Sequence, residues 1–130
     1  RGVDVRVIIP HIPDKKIVYG MTKSVCHQLS KFGVKIYEYT PGFMHAKSYI
    51  ADDNLGIIGT MNLDYRSLDH NFENGVWMYN VDCLFDIKVD MLYTMAKSIY
   101  IEAASIKPNL FQKFIRSRFS EIRARVQRGI

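Results

Sequence analysis

HAKSYIADDNLGIIGTMN, residues 45–62, decides how the chain is read. The segments from about Met44 to Ala51 and from Leu55 to Gly59 flank Asp52-Asp53-Asn54, a turn-forming trio, so the stretch predicts two strands joined as a hairpin. Side chains alternate along a strand, which puts His45, Lys47 and Tyr49 on one face of the first strand and Met44, Ala46, Ser48 and Ile50 on the other. An imidazole near neutral pH is a nucleophile when unprotonated and a general acid when charged, and a neighbouring ammonium ion holds a nonbridging phosphate oxygen. Gly59 and Thr60 end the second strand in a tight turn that would bring the Thr60 hydroxyl and the Asn62 amide to the same oxygen as neutral donors. Such donors stabilise a phosphorane-like transition state. A histidine used this way needs its other ring nitrogen held, usually by a carboxylate, and Glu73 in Asn71-Phe72-Glu73 is the candidate. Taken alone, a His-x-Lys pair is a weak signal that a satisfied structural histidine explains better.

Outward from this stretch the chain reads as an α/β fold. GVDVRVIIP (2–10) alternates and then runs apolar like a buried strand, ended by Pro10 and Pro13. A helix follows, with Asp14 as its cap, Ile17, Met21, Val25 and Leu29 as its apolar face and Gly33 as its stop, before the strand VKIYEYT (34–40). That is a β-α-β unit with a parallel pair. After the hairpin come a strand from Gly75 to Tyr79 and a helix from a capping Asp82 to Ala104, with Leu84, Leu92, Met95, Ile99 and Ala103 on one side. The expected architecture is a mixed β-sheet flanked by helices in a single domain covering 1–130.

Composition bounds the function. With 130 residues and 48% hydrophobic content the chain suffices for one core, and no run of 18 apolar residues occurs. It opens at Arg1 inside an apparent strand, so it reads as a piece of something larger whose membrane anchor would lie elsewhere. Cys26 and Cys83 match no metal or redox spacing and read as two buried thiols in a reducing compartment. The net charge of +5 resides entirely in the tail, where Lys113, Arg116, Arg118, Arg123, Arg125 and Arg128 face only Glu121. Phe111, Ile115, Phe119, Ile122 and Val126 recur there at helical steps, giving a basic amphipathic helix at about 108–128. A packed helix with a solvated face, anionic lipid binding and nucleic acid binding all fit it.

The longer pattern narrows the chemistry. His45-x-Lys47-x4-Asp52-x6-Gly59-Thr60-x-Asn62 matches the HxKxxxxDxxxxxxG(S/T)xN signature of the phospholipase D superfamily at every defined position. VDVRVIIPHIPDKK, GVKIYEYTPGFMHAK and NLDYRSLDHNFE further resemble the C-terminal half of bacterial cardiolipin synthases. The resemblance implies a phospholipase D-like domain that is one of two halves, since members face two such motifs across a pseudo-twofold axis, within one chain or across a homodimer. It implies a bacterial phospholipid-biosynthesis transferase that forms a phosphohistidine, turns two phosphatidylglycerol molecules into cardiolipin and glycerol, and requires no metal or other cofactor. Carried over, His45 is nucleophile or acid/base, Lys47 and Asn62 bind phosphate, Thr60 supports them, and Glu73 orients His45. The family nucleophile is often the histidine of the N-terminal motif, so resemblance to a C-terminal half tilts His45 toward acid/base.

Other residues carry less. Asp52, in a turn, suits a structural role, and Gly59 belongs to the motif's turn. Arg66 fits a lipid headgroup or an ion pair with Asp64 or Asp69. His11 reads as a surface histidine, and Tyr37, Tyr39, Trp77 and Tyr79 as core or cross-strand packing. Implied partners are phosphatidylglycerol, an anionic membrane surface on the cytoplasmic side of a bacterial cell membrane, and the missing half or a second copy; nucleic acid is not expected. Two alternatives stay open: a homodimeric, metal-independent phosphodiesterase or nuclease, and a noncatalytic lipid-binding fragment.

Overall fold

A computed structural model describes residues 2–12 and 16–102, apart from the side chains of residues 16–21, 24 and 65. In chain order the elements are β1 (Arg6–Pro10), α1 (Lys16–Lys31), β2 (Lys35–Tyr39), β3 (Ser48–Ala51), β4 (Leu55–Gly59), α2 (Tyr65–Asp69), β5 (Gly75–Tyr79), α3 (Cys83–Ala96) and β6 (Ser98–Ile101). The expected basic helix at 108–128 and the Asp14 cap lie outside the described residues. The strands form two three-stranded sheets, one mixed and one antiparallel, where the sequence suggested a single mixed sheet. The chain divides into two compact units: residues 44–97 form one, and the residues before and after them the other.

In the flanking unit β1 and β2 pair in parallel, from Arg6 opposite Lys35 to Pro10 opposite Tyr39, and α1 connects them. Ile9, Cys26 and the fully buried Ile36 make its core, with Val7, Val34 and Ile101 packed against them. α1 stops in a Schellman turn: the Val34 amide donates to Leu29 O at 3.2 Å and the Gly33 amide to Ser30 O at 3.1 Å. Gly33 has φ +86°, a conformation that costs glycine nothing and most residues considerably more. Burial pushes the Cys26 thiol up, and the charge of Glu38 adds to this. Glu38 lies almost fully buried, which its partners offset, for His11 Nδ1 stands 3.2 Å from its Oε1 and Lys23 Nζ 3.8 Å.

The helix expected to run to Ala104 ends at Ala96, and Ser98–Ile101 is a strand instead. Ile99 keeps helical spacing from Met95, but Ser-Ile-Tyr-Ile also alternates and is rich in β-branched and aromatic residues, and β2 offers it a ladder. β6 pairs antiparallel with β2, and the Tyr37 and Tyr100 rings meet with centroids 5.4 Å apart.

In the 44–97 unit β3, β4 and β5 form an antiparallel sheet in which Ser48 faces Ile58 and Ile58 faces Val76. The β3–β4 turn runs through Asp52 and Asp53 at φ +49° and +63°, left-handed backbone that Asp tolerates better than most residues. Leu84, 2% exposed, anchors α3 to the sheet at Gly56, where an added Cβ would collide with Leu84 Cδ2. Burying that leucine is worth roughly 2–3 kcal/mol. Lys88 Nζ on α3 reaches Asp53 Oδ2 at 2.6 Å. Asp82 occupies the N-cap of α3 with helical backbone and makes no capping bond, unlike Asp64, whose side chain accepts from the Ser67 amide at the start of α2. Cys83, expected buried, is exposed, with its Sγ 3.8 Å from Met78 Sδ. Trp77 and Tyr79 are likewise 65% and 55% exposed, their rings stacked 6.1 Å apart on edge strand β5.

Candidate active site

The motif residues all lie in the 44–97 unit. β3 begins only at Ser48, so His45 and Lys47 precede the strand instead of alternating along it. The ladder explains this: Gly59, the last residue of β4, donates its amide to Lys47 O at 3.1 Å, and earlier residues have no β4 position opposite them. His45 is exposed and Lys47 half-buried. Lys47 turns back along the chain, its Nζ donating to His45 O at 2.9 Å.

Beyond β4 the chain leaves the sheet under two constraints. The Thr60 amide donates to Asn74 O at 2.9 Å, and the Tyr49 hydroxyl on β3 donates to Met61 O at 2.7 Å. The first draws the backbones close at Gly59, where a Cβ would stand 2.7 Å from Gly75 Cα and something would have to shift. Burial, aided by the nearby charges of Asp64 and Glu73, pushes the Tyr49 phenol up, so it remains a protonated donor.

Thr60 and Glu73 define the centre of the site. Thr60 Oγ1 donates to Glu73 Oε2 at 2.5 Å and accepts from the Asn74 amide at 3.0 Å. A hydroxyl has one proton, and in this arrangement it points to Glu73, with Asn74 O a second acceptor 3.3 Å away. Asn71 Nδ2 donates to Glu73 Oε1 at 3.3 Å. The Thr60 hydroxyl, then Ser67 and Asn71, hold the Glu73 carboxyl below the usual glutamate value, and the charge of Lys47 adds to this. These bonds favour the ionised carboxylate over the protonated acid.

Asn62 is exposed and donates through Nδ2 to Ser67 Oγ at 3.3 Å, which leaves its second amide hydrogen and its carbonyl for a ligand. Arg66 pairs with neither Asp64 nor Asp69: its Nε donates to Asn71 Oδ1 at 3.2 Å. Asp52 sits at the hairpin tip, away from this network, and the acid there that pairs with a base is its neighbour Asp53. Ser67, Asn71 and Tyr49 were not singled out for the site from sequence. Ser67 follows Asp64 at capping distance and is buried, and Asn71 stands two residues before Glu73, but neither spacing identifies a partner thirteen residues away such as Thr60 is to Glu73. No described helix is long and apolar enough to cross a membrane, and the described residues hold no cluster of three or more metal-ligating side chains.

Residues 1–92 match the family described as cardiolipin synthase, phospholipase D-like domain. An uncharacterized protein of Streptococcus mutans is 50% identical over 107 residues, covering 82% of this chain and 23% of the relative. The cardiolipin synthase of Alkalihalophilus pseudofirmus is 38% identical over 110 residues, covering 85% and 22%, and that of a Geobacillus species 41% over 112, covering 86% and 21%. The chain thus spans less than a quarter of the length of these relatives. With its fold, its motif and this similarity, the chain belongs to the phospholipase D superfamily, as a cardiolipin synthase-like domain.

Proposed function

We propose that residues 1–130 act as one phospholipase D-like half, supplying half of the active site of a phosphatidyltransferase that condenses two phosphatidylglycerol molecules to cardiolipin and glycerol. In the first step one histidine of a pair attacks phosphorus through a ring nitrogen, the bond from phosphorus to the glycerol oxygen breaks, and the other histidine protonates that oxygen. In the second, the now neutral histidine takes the proton from a hydroxyl of a second phosphatidylglycerol, whose oxygen attacks phosphorus and releases the first histidine. His45 is this chain's member of the pair, Lys47 and Asn62 hold phosphate oxygens, and Glu73, held by Thr60, orients His45. The partner histidine comes from the companion half of a longer parent protein or from a second copy, at the cytoplasmic face of a bacterial membrane with the anchor outside this chain.

The observation that carries this reading is that His45, Lys47, Thr60, Asn62 and Glu73 fall in one compact unit of a chain 38% identical to a cardiolipin synthase. The test is conversion of phosphatidylglycerol by the full-length parent, with and without His45→Ala. Equimolar cardiolipin and glycerol, abolished by the substitution, are expected. Release of glycerol with phosphatidic acid alone would make the protein a hydrolase instead.

A further inference from the structure

We infer that Asn71 is a positioning residue for the reaction, its side-chain amide bridging Arg66 and Glu73 so that the carboxylate behind the catalytic histidine is fixed at both oxygens. Arg66 Nε donates to Asn71 Oδ1 at 3.2 Å, Asn71 Nδ2 donates to Glu73 Oε1 at 3.3 Å, and the Asn71 backbone N–H donates to Arg66 O at 2.9 Å. The partners fix which way the amide points, since the reverse would put its oxygen against a carboxylate and its NH2 against a guanidinium. Thr60 holds the other oxygen, Oε2, so neither oxygen of Glu73 rotates without breaking a bond. The bridge also keeps a cation off the carboxylate. A guanidinium bonded directly to Glu73 would neutralise the charge that an imidazolium needs opposite it, whereas a neutral amide orients the carboxylate and leaves its charge in place. Arg66 thereby buttresses the site through its Nε.

This inference rests on the reading of Glu73 as the group that orients His45. Asn71→Asp is nearly isosteric: it keeps the acceptor for Arg66 but sets a second negative charge against Glu73, and Asn71→Ala removes both bonds. In the full-length parent both are expected to lower kcat about 10- to 100-fold, as loss of a supporting hydrogen-bond partner commonly does, with KM within about twofold. Asn71→Asp is further expected to move the acid limb of the pH–kcat profile to higher pH, because a like charge makes Glu73 easier to protonate. Turnover is followed with phosphatidylglycerol and, in parallel, with a chromogenic phosphodiester. If the wild type cleaves the chromogenic diester but makes no cardiolipin, the proposed substrate fails while the role of Asn71 is still read from the diester. Wild-type kcat in both variants overturns the inference. So does activity lost in Asn71→Asp only in proportion to a lowered Tm with the acid limb unmoved, which would make Asn71 merely structural.

Discussion

Thr60 Oγ1 stands 2.5 Å from Glu73 Oε2 and joins the end of β4 to the segment leading into β5 across thirteen residues of sequence. Its lone pair receives the Asn74 amide, so one small hydroxyl satisfies a carboxylate and a backbone donor together. Thr60→Ser keeps both bonds and is expected to retain turnover within a few-fold. Thr60→Val keeps the shape and loses both. The Glu73 carboxyl then rises toward its ordinary value, because its main hydrogen-bond donor is gone, and activity begins to fall at a higher pH on the acid side. Parallel pH–rate profiles of the two variants in the full-length parent check this, and identical acid limbs would contradict it.

Gly59 and Gly75 face each other across β4 and β5 yet differ in room. A Cβ on Gly59 would stand 2.7 Å from Gly75 Cα and nearer still to Asn74 O, both backbone atoms that cannot step aside. A Cβ on Gly75 would find nothing closer than 3.5 Å. Gly59→Ala is expected to destabilise by about 1–3 kcal/mol through overpacking and to weaken the Thr60–Asn74 connection, while Gly75→Ala stays within about 1 kcal/mol of wild type. Urea unfolding midpoints of the two variants provide the comparison.

Much of this is legible in the sequence, and the parts that are share a cause. β4 and β5 have the bounds read from sequence, Leu55–Gly59 and Gly75–Tyr79, because turn residues or glycines delimit runs that suit a sheet. The β-α-β crossover followed from Gly33 between a helical stripe and an apolar strand. What stayed hidden depends on partners distant in sequence. Ile99 fits a helical and a strand period alike until β2 is there to pair with β6. His45 lies outside the strand that alternation predicts for it, because nothing local states where β4 ends its ladder. The bond from the Thr60 hydroxyl to Glu73 spans thirteen residues, a pairing that the motif's spacing does not reveal.

Leu84 and Phe85 are adjacent on α3 and equally apolar, yet Leu84 is 2% exposed against Gly56 and Phe85 is 70% exposed. Leu84→Ala is expected to cost about 2–5 kcal/mol, the transfer energy plus the cavity left above the glycine. Phe85→Ser should cost within about 0.5 kcal/mol, as surface substitutions do. Thermal unfolding followed by circular dichroism distinguishes them, and equal losses would mean that α3 does not anchor through Leu84.

Asp4 lies just before β1 and clasps the ends of two strands: its Oδ2 accepts from Arg6 Nη2 at 2.6 Å and from Nε at 3.0 Å, and Lys35 Nζ at the start of β2 stands 2.9 Å from its Oδ1. The Arg6 bond first, then that from Lys35, lowers its carboxyl from 3.8 to about 2. A carboxylate more acidic in the folded chain than in the unfolded one favours folding while it is ionised in both states. That contribution is complete above the unfolded value near 3.8 and disappears as pH falls through the folded value of about 2. Asp4→Asn removes the titration, so its stability should fall less steeply than that of the wild type over that window, the two curves converging toward the acid end. All three side chains are close to half exposed, so 1 M salt should bring the curves together above the window as well. Urea titrations at stepped pH measure the slopes, and parallel slopes at low salt would show that the clasp does not hold in solution.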